Sequence, residues 1–258
     1  MVVLKNEIIE TININSIGYE KHIINQLEEN GYVLFEGSLE EKELVELSVK
    51  FGNIFMHNHA NSLGVTHISN ISKNVDSSSD NLTGFSNDKQ DLHTDRSSEL
   101  EPPNILFLYC KQASYIGGES WIADGKKIFT DLSENHPETL RLLIESGNIV
   151  FGGSNELRTG AVFLKNYEGN FSIKYRDDEL GYFPYYMYPH ISILRQTFQK
   201  YLLSLSLKSN QGLIIKNDRV LHGRNFFQGE RSMLRVLIHS KSTSILGSKI
   251  TKGFLEKV

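Results

Sequence analysis

The stretch GLIIKNDRVLHGRNFFQGERSMLRVLIHS, residues 212–240, decides the fold class. Val, Ile and Phe recur through it, and β-branched and aromatic residues suit a pleated, buried surface better than a helix. Residues 212–227 and 231–240 read as two strands joined by a turn at Gln228, Gly229 and Glu230. Working outward, NILFLYCKQAS (104–114) is another run of β-formers bounded by turn residues. GAVFLKNYEGNFSIKYRDD (160–178) reads as a hairpin turning at Glu168, Gly169 and Asn170.

Helical spacing surrounds these runs rather than alternating with them. GYEKHIINQLEENGYVLF (18–35) starts as a helix on Ile23, Ile24 and Leu27, stops near Gly31 and becomes a strand at Tyr32–Phe35. LEEKELVELSVKFG (39–52) places Leu44, Leu47 and Phe51 on one stripe, with Gly52 ending the helix. GGESWIADGKKIFTDL (117–132) has glycines at its head and a helix start near its end. SENHPETLRLLIES (133–146) predicts a helix capped by Ser133 or Asn135, and SILRQTFQKYLLSLSLK (192–208) predicts another. Strands without regular crossover helices exclude a doubly wound sheet. The expectation is a mainly β fold with flanking helices, α+β, built as a sandwich or barrel.

The chain has 258 residues, of which 39% are hydrophobic, with 14 Phe and 11 Tyr, enough for one sizeable core; it reads as a single domain over 1–258. A net charge of -4 with scattered basic residues leaves no electrostatic footprint for nucleic acid or an anionic membrane. Cys110 is the one cysteine, so no internal disulfide forms, and its apolar surroundings make it a small buried hydrophobe. MVVLKNEIIE is not a secretory leader, and no apolar run reaches the ~18 residues a membrane span needs. A soluble, cytoplasmic protein is expected. VDSSSDNLTGFSNDKQD (75–91) is too polar for a packed core and reads as a loop: a lid beside a site, or a plain surface excursion.

That loop leads into QDLHTDRSSEL (90–100), where His93 and Asp95 stand two apart. On an extended segment such residues point to one face, so both side chains can reach one ion while Thr94 faces away. A third ligand must come from elsewhere, and His222, followed by Gly223, is the best candidate. Two imidazoles and one carboxylate suit a divalent first-row metal and leave positions open for substrates. Taken alone, the H-x-D pair reads more readily as a polar turn.

The wider pattern changes that balance. HTDRSSELEPPNILFLYCKQASYIGGESWIADG (93–125) and NDRVLHGRNFFQGERSMLRV (217–236) together resemble the taurine dioxygenase (TauD/TfdA) and clavaminate synthase-like family of Fe(II)/2-oxoglutarate-dependent oxygenases. The resemblance runs from Phe51 and Gly52 to about His239. Its specific parts are the H-x-D, the Pro-Pro pair, GGES, the distal HGR and two following arginines. It implies a double-stranded β-helix (jelly-roll) core, with His93, Asp95 and His222 as iron ligands. It also implies that Ser120 and Arg231 hold the far carboxylate of 2-oxoglutarate, a two-point geometry an arginine fork matches. Without the pattern, Ser120 is a turn residue and Arg231 a solvated strand-end charge.

Arg235 lies four residues beyond Arg231; on a strand the two share a face roughly 13 Å apart. They would serve two anions, and the resemblance assigns Arg235 to an acidic group of the substrate, the alternative being a structural ion pair. His57 and His59 in MHNHA have cupin-like spacing, but ANSLGV supplies no glutamate. By resemblance His57 lines the substrate pocket; on its own it is a surface or core histidine. Arg224 has no assigned role.

The reaction implied is oxidation of an unactivated C–H bond of a small carboxylate-bearing substrate, an amino acid or a derivative, with release of succinate and CO2. Hydroxylation is the default; desaturation, cyclisation or isocyanide formation use the same ligands. Asp95 disfavours halogenation, since halogenases of this type carry Gly or Ala there. The rivals are a non-catalytic jelly-roll protein binding a small acid, and a zinc hydrolase with Glu99 as base. A homo-oligomer and a carrier-protein-tethered substrate both remain open.

Overall fold

The computed structural model describes residues 9–69, 83–153 and 156–255. Two sheets organise them. The larger runs in the order Thr11–Asn13, Tyr32–Glu36, Gln211–Lys216, Ile105–Gln112, Ser232–Ser240, Gly52–Ile54, with Val65–Ser69 also on Ser232–Ser240. Only its first pair is parallel. The smaller sheet is antiparallel, in the order Leu202–Leu205, Ser120–Asp124, Val220–Arg224, Gln90–His93.

The sheets face each other across a shared apolar layer. Leu106, Leu213, Ile215 and Leu237 of the larger sheet pack with Ile122, Leu205 and Val220 of the smaller. Alternate residues of the same strands turn the other way. Phe107, Tyr109, Ile214 and Val236 meet Ile23, Leu27 and Leu44 on helices α1 (Tyr19–Asn30) and α2 (Glu41–Val49). On the far side, Ala123 and Leu221 pack under helices α3 (Gly125–Asn135), α4 (Pro137–Ile144) and α5 (Tyr188–Lys200). Both faces of each sheet are covered, which is why the central strands read as continuous apolar runs. A mainly β fold with flanking helices is therefore present. Among the described residues no helix is long and apolar enough to cross a membrane.

Several sequence expectations are corrected. Residues 212–227 are not one strand: Gln211–Lys216 lies in the larger sheet and Val220–Arg224 in the smaller, separated by a turn through the turn formers Asn217 and Asp218. The helix expected over 192–208 begins earlier, at Tyr188 with a proline in its first turn, and stops at Lys200. Leu202–Leu205 instead pairs with Ser120–Asp124, because a free sheet edge takes up an apolar run that periodicity alone cannot assign. Ser133 and Asn135 cap no helix start; they close α3, and α4 begins at Pro137 after the break at His136. The side-chain cap is Asp124, whose Oδ1 accepts from Lys126 N at 2.9 Å. The hairpin at 168–170 is present, pairing Phe163–Lys165 with Phe171–Ile173. Of the loop expected over 75–91, residues 75–82 lie outside the described residues, and Gln90 and Asp91 belong to a strand.

Candidate metal centre

Cross-strand register brings the first two imidazoles together. His93 ends the strand Gln90–His93 and sits opposite His222 on Val220–Arg224, their ring centroids 4.4 Å apart. Asp95 lies past the strand end, where main-chain pairing has stopped. Thr94 N donates to Tyr175 O at 2.8 Å and Asp95 N to Asn217 Oδ1 at 2.8 Å, so side-chain and loop contacts take over from the ladder. One donor atom from each of His93, Asp95 and His222 falls within 4.8 Å of the others, and all three residues are buried. His93 Nε2 is 3.8 Å from Asp95 Oδ1, and His222 Nε2 is 3.9 Å from Asp95 Oδ2.

The protonation states suit a cation. His93 Nδ1 lies 2.8 Å from Asp91 O. A carbonyl only accepts, so Nδ1 carries the proton and Nε2 turns its lone pair to the site. Burial lowers the His93 pKa, and it takes His222 down to about 3, with the neighbouring His93 imidazole adding to the effect. Burial opposes ionisation of Asp95, but the Arg235 guanidinium is the foremost opposing influence, and the carboxyl is held well below the usual range. Two neutral imidazoles and an ionised carboxylate are the donor set of a facial two-histidine, one-carboxylate iron site. His222 Nδ1 is buried with no partner among the described residues.

Arg235, on the strand Ser232–Ser240, reaches this carboxylate. Its Nη1 donates to Asp95 Oδ1 at 3.3 Å and Oδ2 at 3.2 Å. Its Nε has no partner among the described residues, so donor capacity remains for an anion. His57 is half-buried, and its Nδ1 accepts from His59 N at 3.1 Å. Burial first, then the charges of Arg235 and Arg96, bring its pKa down to about 4.

Arg231 and Ser120 lie elsewhere in the same fold. Ser120 opens the strand Ser120–Asp124 and is buried. Before it, Gly117 and Gly118 adopt φ of 70° and 77°, conformations that side chains rarely tolerate. A Cβ on Gly118 would come within 3.3 Å of Arg231 Nε, so this turn wraps against the guanidinium. Arg231 is 8% exposed, lies over the Phe227 ring at 5.6 Å, and has no hydrogen-bond or ion-pair partner among the described residues. Burial accordingly lowers its pKa. Burial of a guanidinium costs free energy that an anionic partner offsets.

Two supporting residues escaped the sequence reading. Arg224, singled out there without a role, also lies over the Phe227 ring, at 5.0 Å, and donates through Nη2 to Ser86 O at 2.8 Å and Asp88 O at 2.6 Å. Its place two after His222 was the available signal. Asn217 holds the Asp95 main chain, and nothing in its local sequence distinguishes it from a turn former.

A family model described as "Taurine catabolism dioxygenase TauD, TfdA family" matches residues 10–237. A uridine-5'-phosphate dioxygenase of an Amycolatopsis species is 25% identical over 145 residues, which are 52% of this chain and 53% of that protein. Among solved structures, the non-heme iron oxygenase OrfP in complex with Fe, succinate and (3R,4R)-dihydroxy-L-Arg superposes with a TM-score of 0.68 at 14% identity, covering 88% of this chain and 82% of that one. Asparagine oxygenase in complex with Fe(II), 2S,3S-3-hydroxyasparagine and succinate superposes with a TM-score of 0.66 at 12% identity, covering 85% and 78%.

Proposed function

The chain belongs to the TauD, TfdA family, and on that premise we propose that it is an Fe(II)- and 2-oxoglutarate-dependent oxygenase acting on an amino acid or an amino-acid-derived acid. The two facing sheets are read as a double-stranded β-helix (jelly-roll) core within one domain. The observation that carries the proposal is the convergence of His93, Asp95 and His222, buried and in protonation states that leave three donors for one cation. Bound there, Fe(II) and 2-oxoglutarate supply the oxidising chemistry: reduction of O2, decarboxylation of the co-substrate to succinate and CO2, and oxidation of one substrate C–H bond.

The protein's part is placement. Arg231, buried and without a partner among the described residues, takes the far carboxylate of 2-oxoglutarate, and Ser120 adds a hydroxyl donor to it. Arg235 shares its guanidinium between Asp95 and an acidic group of the substrate, with His57 lining the same space. The compounds named with the relatives (dihydroxy-arginine, hydroxyasparagine, uridine phosphate) all carry a carboxylate or phosphate, which favours an anion-reading arginine. Hydroxylation is the outcome proposed; desaturation, cyclisation or isocyanide formation would use the same residues.

The test is anaerobic addition of Fe(II) and 2-oxoglutarate to the purified protein. The visible charge-transfer band of the chelate should appear, vanish in His93→Ala, Asp95→Ala and His222→Ala, and shift when the right amino acid is added. A folded wild-type protein that never develops the band rules the reading out.

A further inference from the structure

Asp95 occupies an awkward place in the chain. The strand carrying His93 ends two residues before it, and Arg96, the residue after it, has φ of 59°, a left-handed conformation that side chains avoid. Such a residue keeps its geometry only when its surroundings hold it. Thr94 is tied to Tyr175 by Thr94 N to Tyr175 O at 2.8 Å and Tyr175 N to Thr94 Oγ1 at 3.0 Å. While Arg235 meets its carboxylate, the main chain of Asp95 is held by the side chain of Asn217, which is 2% exposed.

Every polar position of the Asn217 carboxamide is used. Its Oδ1 accepts from Asp95 N at 2.8 Å, and its Nδ2 donates to Asp95 O at 3.0 Å and to Pro103 O at 2.7 Å. The orientation is unambiguous, because a flipped amide would set donor against donor and acceptor against acceptor. The amide thus stands in for a neighbouring strand, pairing with both the N–H and the carbonyl of one residue. Its own main chain is anchored as well, Asn217 N donating to Asn104 O at 2.9 Å. Five residues on, the same segment delivers His222.

We propose that Asn217 is the positioning residue of the metal centre: its carboxamide sets where the Asp95 carboxylate stands relative to the His93 and His222 imidazoles. The inference rests on reading those three residues as a metal site. Partners that orient metal ligands are worth about 10- to 100-fold in metal affinity, and Asn217 acts at that level through the main chain rather than through the ligand's side chain.

The experiment is an anaerobic Co(II) titration followed by the cobalt absorption, with thermal unfolding measured separately. The variants are Asn217→Ala, Asn217→Asp, His93→Ala and Asn148→Ala. Asn148 is a matched control, a buried amide whose Nδ2 donates to Leu142 O at 2.8 Å, away from the centre. Asn217→Asp keeps the shape and the acceptor but loses both donations, so it carries the test if Asn217→Ala fails to fold. Both Asn217 variants should weaken Co(II) binding about 10- to 100-fold and alter the cobalt spectrum, while Asn148→Ala lowers thermal stability with the affinity unchanged. Folded Asn217 variants with wild-type affinity and spectrum overturn the proposal, as does an equal loss in Asn148→Ala. If the wild type binds no Co(II), or His93→Ala binds it normally, the metal-site reading falls and the proposal with it.

Discussion

Arg231 and Arg235 are four residues apart, yet their surroundings give them different work. Arg235 spends one nitrogen on the Asp95 carboxylate, at 3.2 and 3.3 Å to its two oxygens. Arg231 lies over Phe227 and has no hydrogen-bond or ion-pair partner among the described residues. A buried guanidinium left unpaired costs free energy that a carboxylate would return, and a charge-assisted contact of this type is worth about 1.5–3 kcal/mol. Arg231→Ala should therefore raise the KM for 2-oxoglutarate about 10- to 100-fold and leave the KM for the proposed acidic substrate nearly unchanged. Steady-state kinetics with each substrate varied in turn checks this; equal shifts in both would mean that the two arginines share one anion.

At the scale of elements, the strand Val220–Arg224 does most of the organising. Its register against Gln90–His93 sets His222 beside His93, and its other edge pairs with the strand that begins at Ser120. Arg224 then reaches back to the main chain before the H-x-D, donating to Ser86 O and Asp88 O with a longer contact to Gly84 O at 3.4 Å. One side chain so holds carbonyls that no ladder satisfies. Arg224→Ala removes those contacts and should speed amide exchange across residues 83–89 about 10- to 100-fold. Hydrogen exchange read by mass spectrometry measures it, and unchanged protection there would show that other contacts order the segment.

Across the whole molecule, helices cover the outer faces of two sheets, and a buried ion pair clasps the layers. Arg219 donates through Nε and Nη2 to Asp124 at 3.0 and 2.8 Å, and through Nη1 and Nη2 to the carbonyls of Glu28 and Glu29 at 2.8 Å each. It thereby joins the end of α1, the cap of α3 and the turn after Asn217. Arg219→Ala strands a buried carboxylate and should cost about 3–5 kcal/mol, measured by urea unfolding; a loss under about 1 kcal/mol would make the pair a bystander. By itself the sequence determined the β-rich class, the early helices and the three candidate ligands, because apolar run length and the H-x-D, HGR and arginine spacings are local. It could not separate the two strands around Asn217, nor turn Leu202–Leu205 from helix to strand, since those depend on which sheet edge lies nearby. Only the tertiary structure paired Arg235 with Asp95, left Arg231 without a partner among the described residues and set Asn217 against Asp95. Each of those contacts joins residues from separate elements, and burial and partner, not residue type, decide what a polar side chain does.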